Sequence, residues 1–404
     1  MTNINIPIIY ILGDGEHHMK IEKMTIDNIC GIKHLELNFN EGLNLICGEN
    51  GVGKTTILKA IAHQFLYGKD NFIKRHSSSE KGIVEILLFG STSSVKYEIK
   101  DFVPGDVYNS TTKYVELSNN VLLFSSSRTI EYLKISALPP VGSIEDDKFH
   151  SSNQLSNGVD KNIKSWFVSN FLFSNVPKSL NEYQKNNLEL SIAVFNLLDS
   201  NLTVETVKSD FEIILKQKDN EIYFEMLSDG YKSCIFILLG IIKEIEYRFP
   251  DINAIDFNGL IMIDEIDVHL HPQWQAKLVS VLKETFPNAQ IIATTHSPSV
   301  LQNAMTEEII PLYKDENGDV HIKELHLGEY GLQGWTLEEI MKDVMGMKST
   351  TSDLYAQTIK DFDKAMYDEE QEEILKNYEI LKKMLHPQNP MLQLLDIQVS
   401  EWKN

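Results

Sequence analysis

The sequence predicts an α/β fold: a mixed sheet, an antiparallel β lobe, a helical insertion and C-terminal helices. Three observations carry it. "LNLICG" (Leu43–Gly48), "GLIMID" (Gly259–Asp264) and "AQIIATT" (Ala289–Thr295) are short, almost uninterrupted apolar runs, as expected of strands buried on both faces. Helical patterns follow or separate them. Near the N-terminus, "KIEKMTIDN" (Lys20–Asn28) and "GIKHLELNF" (Gly31–Phe39) alternate polar and apolar residues instead, the pattern of antiparallel strands around a turn at Cys30-Gly31.

Composition narrows the class. The 404 residues, 42% hydrophobic and 24% charged, suit a globular protein with one large or two ordinary domains. Cys30, Cys47 and Cys234 lie far apart in no metal-binding spacing, which predicts reduced core thiols. The run "IPIIYIL" (Ile6–Leu12) is too short to span a membrane and has no basic residues before it, so neither a signal peptide nor a membrane helix is expected. Residues 1–18 read as a small extension, and the expected location is cytoplasmic. The net charge of −21 repels nucleic-acid phosphates on average and favours a nucleotide or a protein partner.

In chain order, residues 1–128 read as a β lobe carrying a glycine loop, with a helix over Thr55–Leu66 and a strand pair at "GIVEILLFG" and "SVKYEIKDF" (Gly82–Gly90, Ser94–Phe102). Residues 129–202 form the insertion: "HSSNQLSNG" (His150–Gly158) predicts a loop, then Val159–Phe173 and Ser179–Leu198 follow helical spacing. It has no sustained heptads, which excludes a long coiled-coil arm. Residues 203–330 open with a hairpin around "KDN" (Lys218–Asn220), become α/β from Ser228, and carry a second hairpin at Asn317-Gly318. Residues 331–404 are helical, with 14 acidic and 8 basic residues, and Thr336 with Glu339 forms a capping-box pattern.

Four motifs carry chemistry. "GENGVGKT" (Gly48–Thr55) fits G-x-x-x-x-G-K-[ST] with a strand before it and a helix after it. Backbone N–H groups from Gly48, Glu49, Asn50, Gly51, Val52 and Gly53 can curl around phosphate oxygens, with Thr56 just inside the helix. Lys54 can reach the outer phosphates and the Thr55 hydroxyl can ligate magnesium. Asp264 ends an apolar strand, suited to hold Mg²⁺ through water; Glu265 beside it can polarise an attacking water. "LSDGYKS" (Leu227–Ser233) opens an apolar helix, and "TTHSP" (Thr294–Pro298) places His296 at the end of the next strand.

The order of these elements resembles the layout of ABC-type ATPases, over Met19 to about Ser297. "LSDGYKS" resembles their signature, with Asp229 where transporters usually have glycine. The resemblance implies binding of ATP and Mg²⁺, catalysis by Glu265 with His296 against a terminal phosphate, and a nucleotide sandwich. In it, Ser228 and Gly230 of one protomer close over the phosphate loop of another, in a homodimer or higher oligomer. One departure stands out: no glutamine is clearly placed for the family's lid loop, and Arg128, after Ser125-Ser126-Ser127, occupies that region.

The subtype narrows further. The stretch from Met24 to Thr56 resembles RecF- and SMC-like heads. "DEIDVHLHPQWQ" (Asp264–Gln275) resembles ATPases related to the OLD nucleases, and there His269 and His271 read as a loop at the dimer seam. "GWTLEEIMKDVMGM" (Gly334–Met347), followed by acidic helices, resembles the ATPase subunits of Septu anti-phage systems and their retron-linked variants. These pair with a small HNH endonuclease; a DNA or phage-derived trigger is implied. Alternatives are a RecF- or SMC-like DNA-repair ATPase, an OLD-like ATPase with a Toprim nuclease partner, and a transporter ATPase. "DFD" (Asp361–Asp363) imitates a Toprim pair, but its neighbours read as an amphipathic helix with solvated charges, so no nuclease activity is expected from this chain alone. Trp335, Leu337, Ile340, Val344 and Met345 recur at helical spacing as an apolar face.

Overall fold

The computed structural model describes residues 19–70, 73–105, 108–111, 115–126, 134–138, 150–151, 154–155, 162–347 and 349–402. The chain divides into two compact units, Met1–Gly346 and Met347–Asn404.

The first unit is built on a six-stranded sheet. Its strands are β3 (Leu43–Gly48), β8 (Val121–Phe124), β12 (Leu260–Ile263), β13 (Gln290–Thr294), β14 (Ile309–Lys314) and β15 (Val320–Ile322), in the spatial order β15-β14-β3-β13-β12-β8. All pairings are parallel except the β14–β15 hairpin, which turns at Gly318 as the Asn-Gly dipeptide predicts. Alternate residues of one strand feed opposite cores. Leu43, Leu45 and Cys47 join one apolar cluster, and Ile46 the other; Ile261 and Ile263 are likewise split from Leu260 and Met262. Burial on both faces is why these strands are apolar without alternation.

On one face lie β1 (Ile21–Ile29), β2 (Ile32–Asn38), β5 (Gly82–Leu88) and β6 (Val95–Ile99), an antiparallel sheet in the order β2-β1-β5-β6, together with helix α1 (Lys54–His63). Gln290 bolts this sheet to the central one: its side chain accepts from the Ile21 N–H (2.7 Å) and donates to the Ile21 carbonyl (2.8 Å). The other face is covered by α2 (Ile163–Phe173), α3 (Glu182–Leu198), α4 (Asp229–Arg248) and α5 (Pro272–Thr285). The hairpin β10 (Ile213–Gln217) with β11 (Asn220–Tyr223) is extended by β9 (Leu202–Val207), a strand the sequence pattern did not reveal. A short ribbon of β4 (Tyr67–Asp70) with β7 (Tyr108–Thr111) completes the strands described.

The predicted loop at "HSSNQLSNG" is corrected where it is described: His150, Ser151, Gln154 and Leu155 are helical. The buried Gln154 amide ties this segment to the sheet. Its Nε2 donates to the Leu123 carbonyl (2.6 Å) and its Oε1 accepts from the Leu123 N–H (3.2 Å), so a side chain satisfies the free edge of β8. Nearby, the buried Glu244 carboxylate accepts from His150 Nε2 (2.9 Å) and Arg248 (3.3 Å). Burial opposes its ionisation, but His150, Arg248 and Lys243 win and pull its pKa down to about 2.

Residues 334–346 close the first unit. Thr336 and Glu339 form the predicted capping box. The turn that follows, Ile340–Val344, is a π-helix. Ile340, Val344 and Met345 are buried and Trp335 packs partly buried against the same core, but Leu337 is 40% exposed and so leaves the apolar face expected of it.

The second unit consists of α6 (Asp353–Asp368), α7 (Gln371–Met384) and α8 (Pro390–Val399) around Phe362, Ile374, Tyr378, Leu381, Leu395 and Val399. Ser352 and Asn389 cap α6 and α8. Asp361 and Asp363 are exposed on α6, on either side of the buried Phe362. Among the described residues no helix is long and apolar enough to cross a membrane.

Candidate functional site

Parallel strands all point their carboxyl ends the same way, so the residues following β3, β13 and β12 gather along one edge. These are the glycine loop, His296 and the Asp264-Glu265 pair. The strand bearing His296 lies between the other two.

The glycine loop needs its glycines at specific points. Gly48 has φ +137°, and a Cβ there would sit 2.2 Å from the Leu312 carbonyl oxygen on β14. Gly53, with φ +107°, begins α1 in a left-handed conformation that frees the first N–H groups of the helix. Val52 is buried beneath the loop. Lys54 is largely buried, and its ammonium donates to the carbonyls of Gly48 (2.9 Å) and Glu49 (3.0 Å). Burial lowers its pKa, while the Asp267, Glu265 and Asp264 carboxylates support its charge. Burial pushes the Cys47 thiol up to about 12, so it stays protonated beneath the loop.

Asp264 is 6% exposed and held from two sides. The Thr55 hydroxyl on α1 lies 3.1 Å from each of its carboxylate oxygens, and Thr294 Oγ1 on β13 donates to Oδ1 at 2.7 Å. The same Thr294 oxygen accepts the Glu265 N–H at 2.7 Å. Glu265 has φ +48°, a left-handed conformation that costs a non-glycine residue on the order of 1 kcal/mol or more. The turn thereby lifts Glu265 out of the sheet, partly buried, while Asp264 stays buried. His296 follows at the end of β13. Burial and the Lys54 ammonium hold its pKa below the usual histidine range, against the pull of Asp267, Glu265 and Asp264. Its ring is therefore mainly neutral at pH 7 and can accept or donate a hydrogen bond.

Ser228 and Gly230 occupy a different place. Ser228 caps α4, accepting from the Tyr231 N–H (3.4 Å). A Cβ at Gly230 would lie 3.3–3.4 Å from His269 O, His271 N and Trp274 Cδ1, so the signature packs on its own chain's HLHP loop. Tyr231 stacks edge-on against Trp274 (5.1 Å). His271 is the N-cap of α5, which gives that histidine a structural task. Among the described residues, no group of three or more His, Cys, Asp or Glu side chains is arranged to hold a metal ion. Arg128, in the region expected for the lid loop, lies outside the described residues, as does the N-terminal extension.

Sequence reasoning missed three residues that build the site: Thr294, Thr295 and Asp267. Thr294 and Thr295 are 0% exposed, and each hydroxyl donates to one acid, Thr294 to Asp264 and Thr295 to Asp267 (2.6 Å). The signal was present as adjacent threonines before His296 and a third carboxylate after Glu265.

A glycine loop at a helix start, a strand-end Asp-Glu pair and a histidine on the strand between them define an ATPase of the ABC/SMC-like class. Two family models agree: residues 19–90 match an "AAA ATPase domain", and residues 143–302 match "AAA domain, putative AbiEii toxin, Type IV TA system". The chain is 43% identical over 390 residues to the Septu protein PtuA of Bacillus thuringiensis, covering 95% of this chain and 98% of that one. It therefore belongs to the Septu PtuA family. It is also 28% identical over 326 residues to the Septu protein PtuA of Bacillus mycoides, covering 75% of this chain but 42% of that longer one. The SMC head domain from Thermotoga maritima superposes with a TM-score of 0.46 at 16% identity, over 76% of this chain and 100% of that domain.

Proposed function

We propose that this ATPase binds Mg-ATP along the strand-end edge and regulates a partner nuclease in an anti-phage complex. The observation that carries the nucleotide chemistry is the bridge from Thr55 to Asp264, 3.1 Å to each oxygen, beside Glu265. A hydroxyl and a carboxylate form a hard oxygen donor set, which fits Mg²⁺. Bound there, the ion would neutralise phosphate charge. The N–H groups of Gly48–Thr56 would cradle the phosphates, and Lys54 would exchange its two loop carbonyls for phosphate oxygens. Glu265 would accept a proton from the attacking water, and the neutral His296 ring would donate to the terminal phosphate. Ser228 and Gly230 would complete the site from a second copy of the chain, making the active unit a dimer or higher oligomer.

The chain's similarity to Septu PtuA over nearly its full length supports a role in such a defence complex. The partner would be a small HNH endonuclease docked on the acidic C-terminal helices, with a DNA or phage-derived trigger acting on the assembly. The test is nucleotide binding and turnover by the purified protein with and without Mg²⁺, followed by co-purification with the product of the adjacent reading frame. Failure to bind ATP would end the reading of the site; a lone, partnerless protein would end the reading of the complex.

A further inference from the structure

We infer that Asp267 is a positioning residue for ATP hydrolysis, fixing His296 and locking it to the turn that carries Glu265. This rests on the roles proposed above for Glu265 and His296.

Asp267 lies three residues beyond Asp264, in the turn between β12 and α5. Its Oδ1 accepts two hydrogen bonds, from Thr295 Oγ1 (2.6 Å) and from the backbone N–H of His296 (3.0 Å). Thr295 is fully buried, and its own N–H donates to the Ile46 carbonyl on β3 (3.0 Å), so the group that orients Asp267 is anchored in the sheet. Gln275 extends the clamp from α5. Its Nε2 donates to the carbonyls of Leu270 (2.9 Å) and Asp267 (3.4 Å), and its Oε1 accepts from the Ser297 hydroxyl (2.5 Å). On the Glu265 side, the N–H groups of Glu265 and Ile266 donate to Thr294 Oγ1 (2.7 Å) and its carbonyl (2.9 Å). Residues 264–275 and 294–297 are thus stitched together by the side chains of Thr294, Thr295, Asp267 and Gln275.

The stitching has something to hold. Glu265 sits at φ +48°, a conformation that persists only where its surroundings impose it. His296 sits on a backbone that has left the β13 ladder, where no strand partner fixes its N–H; Asp267 supplies that acceptor. Among the described residues, the charged groups that face His296 are Lys54, Asp264, Glu265 and Asp267.

The experiment is steady-state ATP hydrolysis by the full chain carrying Asp267→Ala, Asp267→Asn or Thr295→Val, each alone and combined with His296→Ala. Asp267→Ala should lower kcat by about 10- to 100-fold, the range of a hydrogen bond to a charged group, with KM for ATP within about threefold. Asp267→Asn keeps an oxygen acceptor for both donors and should recover kcat to within about fivefold of the parent. Thr295→Val removes one donor and should cost about three- to tenfold, a check that stands even where the alanine variant fails to fold. In the His296→Ala background, each change should cost less than about twofold, because a residue acting through His296 has nothing left to position. Full kcat in Asp267→Ala or Thr295→Val, equal losses in the Asn and Ala variants, or losses that multiply with His296→Ala would overturn the inference. Undiminished turnover in Glu265→Gln would remove the reading beneath it. Loss in Glu265→Gln and His296→Ala with full activity in the Asp267 variants would remove this inference alone.

Discussion

The Thr55 hydroxyl lies 3.1 Å from both carboxylate oxygens of Asp264, a residue 209 positions further along the chain. One belongs to a helix that begins at a glycine, the other to the end of a strand two places away in the sheet. Each is placed by its own element, and the shared edge of the sheet makes them partners.

Lys54→Ala should abolish ATP binding measured by calorimetry, because it removes the one ammonium the glycine loop encloses. The fold should survive, since the two carbonyls it releases lie at the loop rather than in the core. Unchanged ATP affinity would move the nucleotide elsewhere.

Glu265→Gln preserves shape and removes the charge. ATP should still bind with Mg²⁺, while turnover falls by a factor on the order of 10² to 10⁴. The backbone N–H of Glu265 that bonds Thr294 is kept by the substitution. Single-turnover phosphate release decides it; a rate near that of the parent would exonerate Glu265.

Gly48→Ala should destabilise the protein by roughly 2–5 kcal/mol, from a strained backbone and a Cβ driven into the Leu312 carbonyl. Denaturant unfolding measures it. Gly51→Ala meets no neighbour within 4 Å and bears only the backbone cost of φ +74°, so it should lose less. Equal losses would show that the collision with β14 does not matter.

Glu244 makes stability depend on acid. Its folded pKa, about 2, lies below its ordinary value of 4.5, so its contribution is complete above about pH 4.5 and is lost as the pH falls towards 2. Glu244→Gln should cost about 3–5 kcal/mol at neutral pH, by removing the buried carboxylate that faces the Arg248 and Lys243 charges, and should flatten stability against pH between 5 and 2. Parallel pH profiles for the two proteins would contradict this assignment.

Truncation before Ser349 removes nearly all of the second unit, whose core is its own. ATP turnover should persist, while capture of the neighbouring gene product should be lost. In the full chain that capture should weaken as salt rises, as charge steering by an acidic surface requires. Retained capture by the truncated chain would place docking on the first unit.

Local patterns in the sequence carried the buried strands, the glycine loop, the Asp264-Glu265 pair, His296 and the capping box at Thr336, because each depends on neighbours a few residues away. Strands buried on both faces must be apolar throughout, and a phosphate loop must have glycine where φ is positive. The same patterns could not place His296 between the other two elements, since spatial order in a parallel sheet is set by crossovers and not by chain order. Nor could they show that the Gln154 side chain would finish a sheet edge, or that Leu337 would fall outside the buried face. Asp267 is the sharpest case. Along the chain it is one more acid in a turn. Only the tertiary structure sets its carboxylate against Thr295 and the His296 N–H, because donor and acceptor follow two strands that the sheet places side by side.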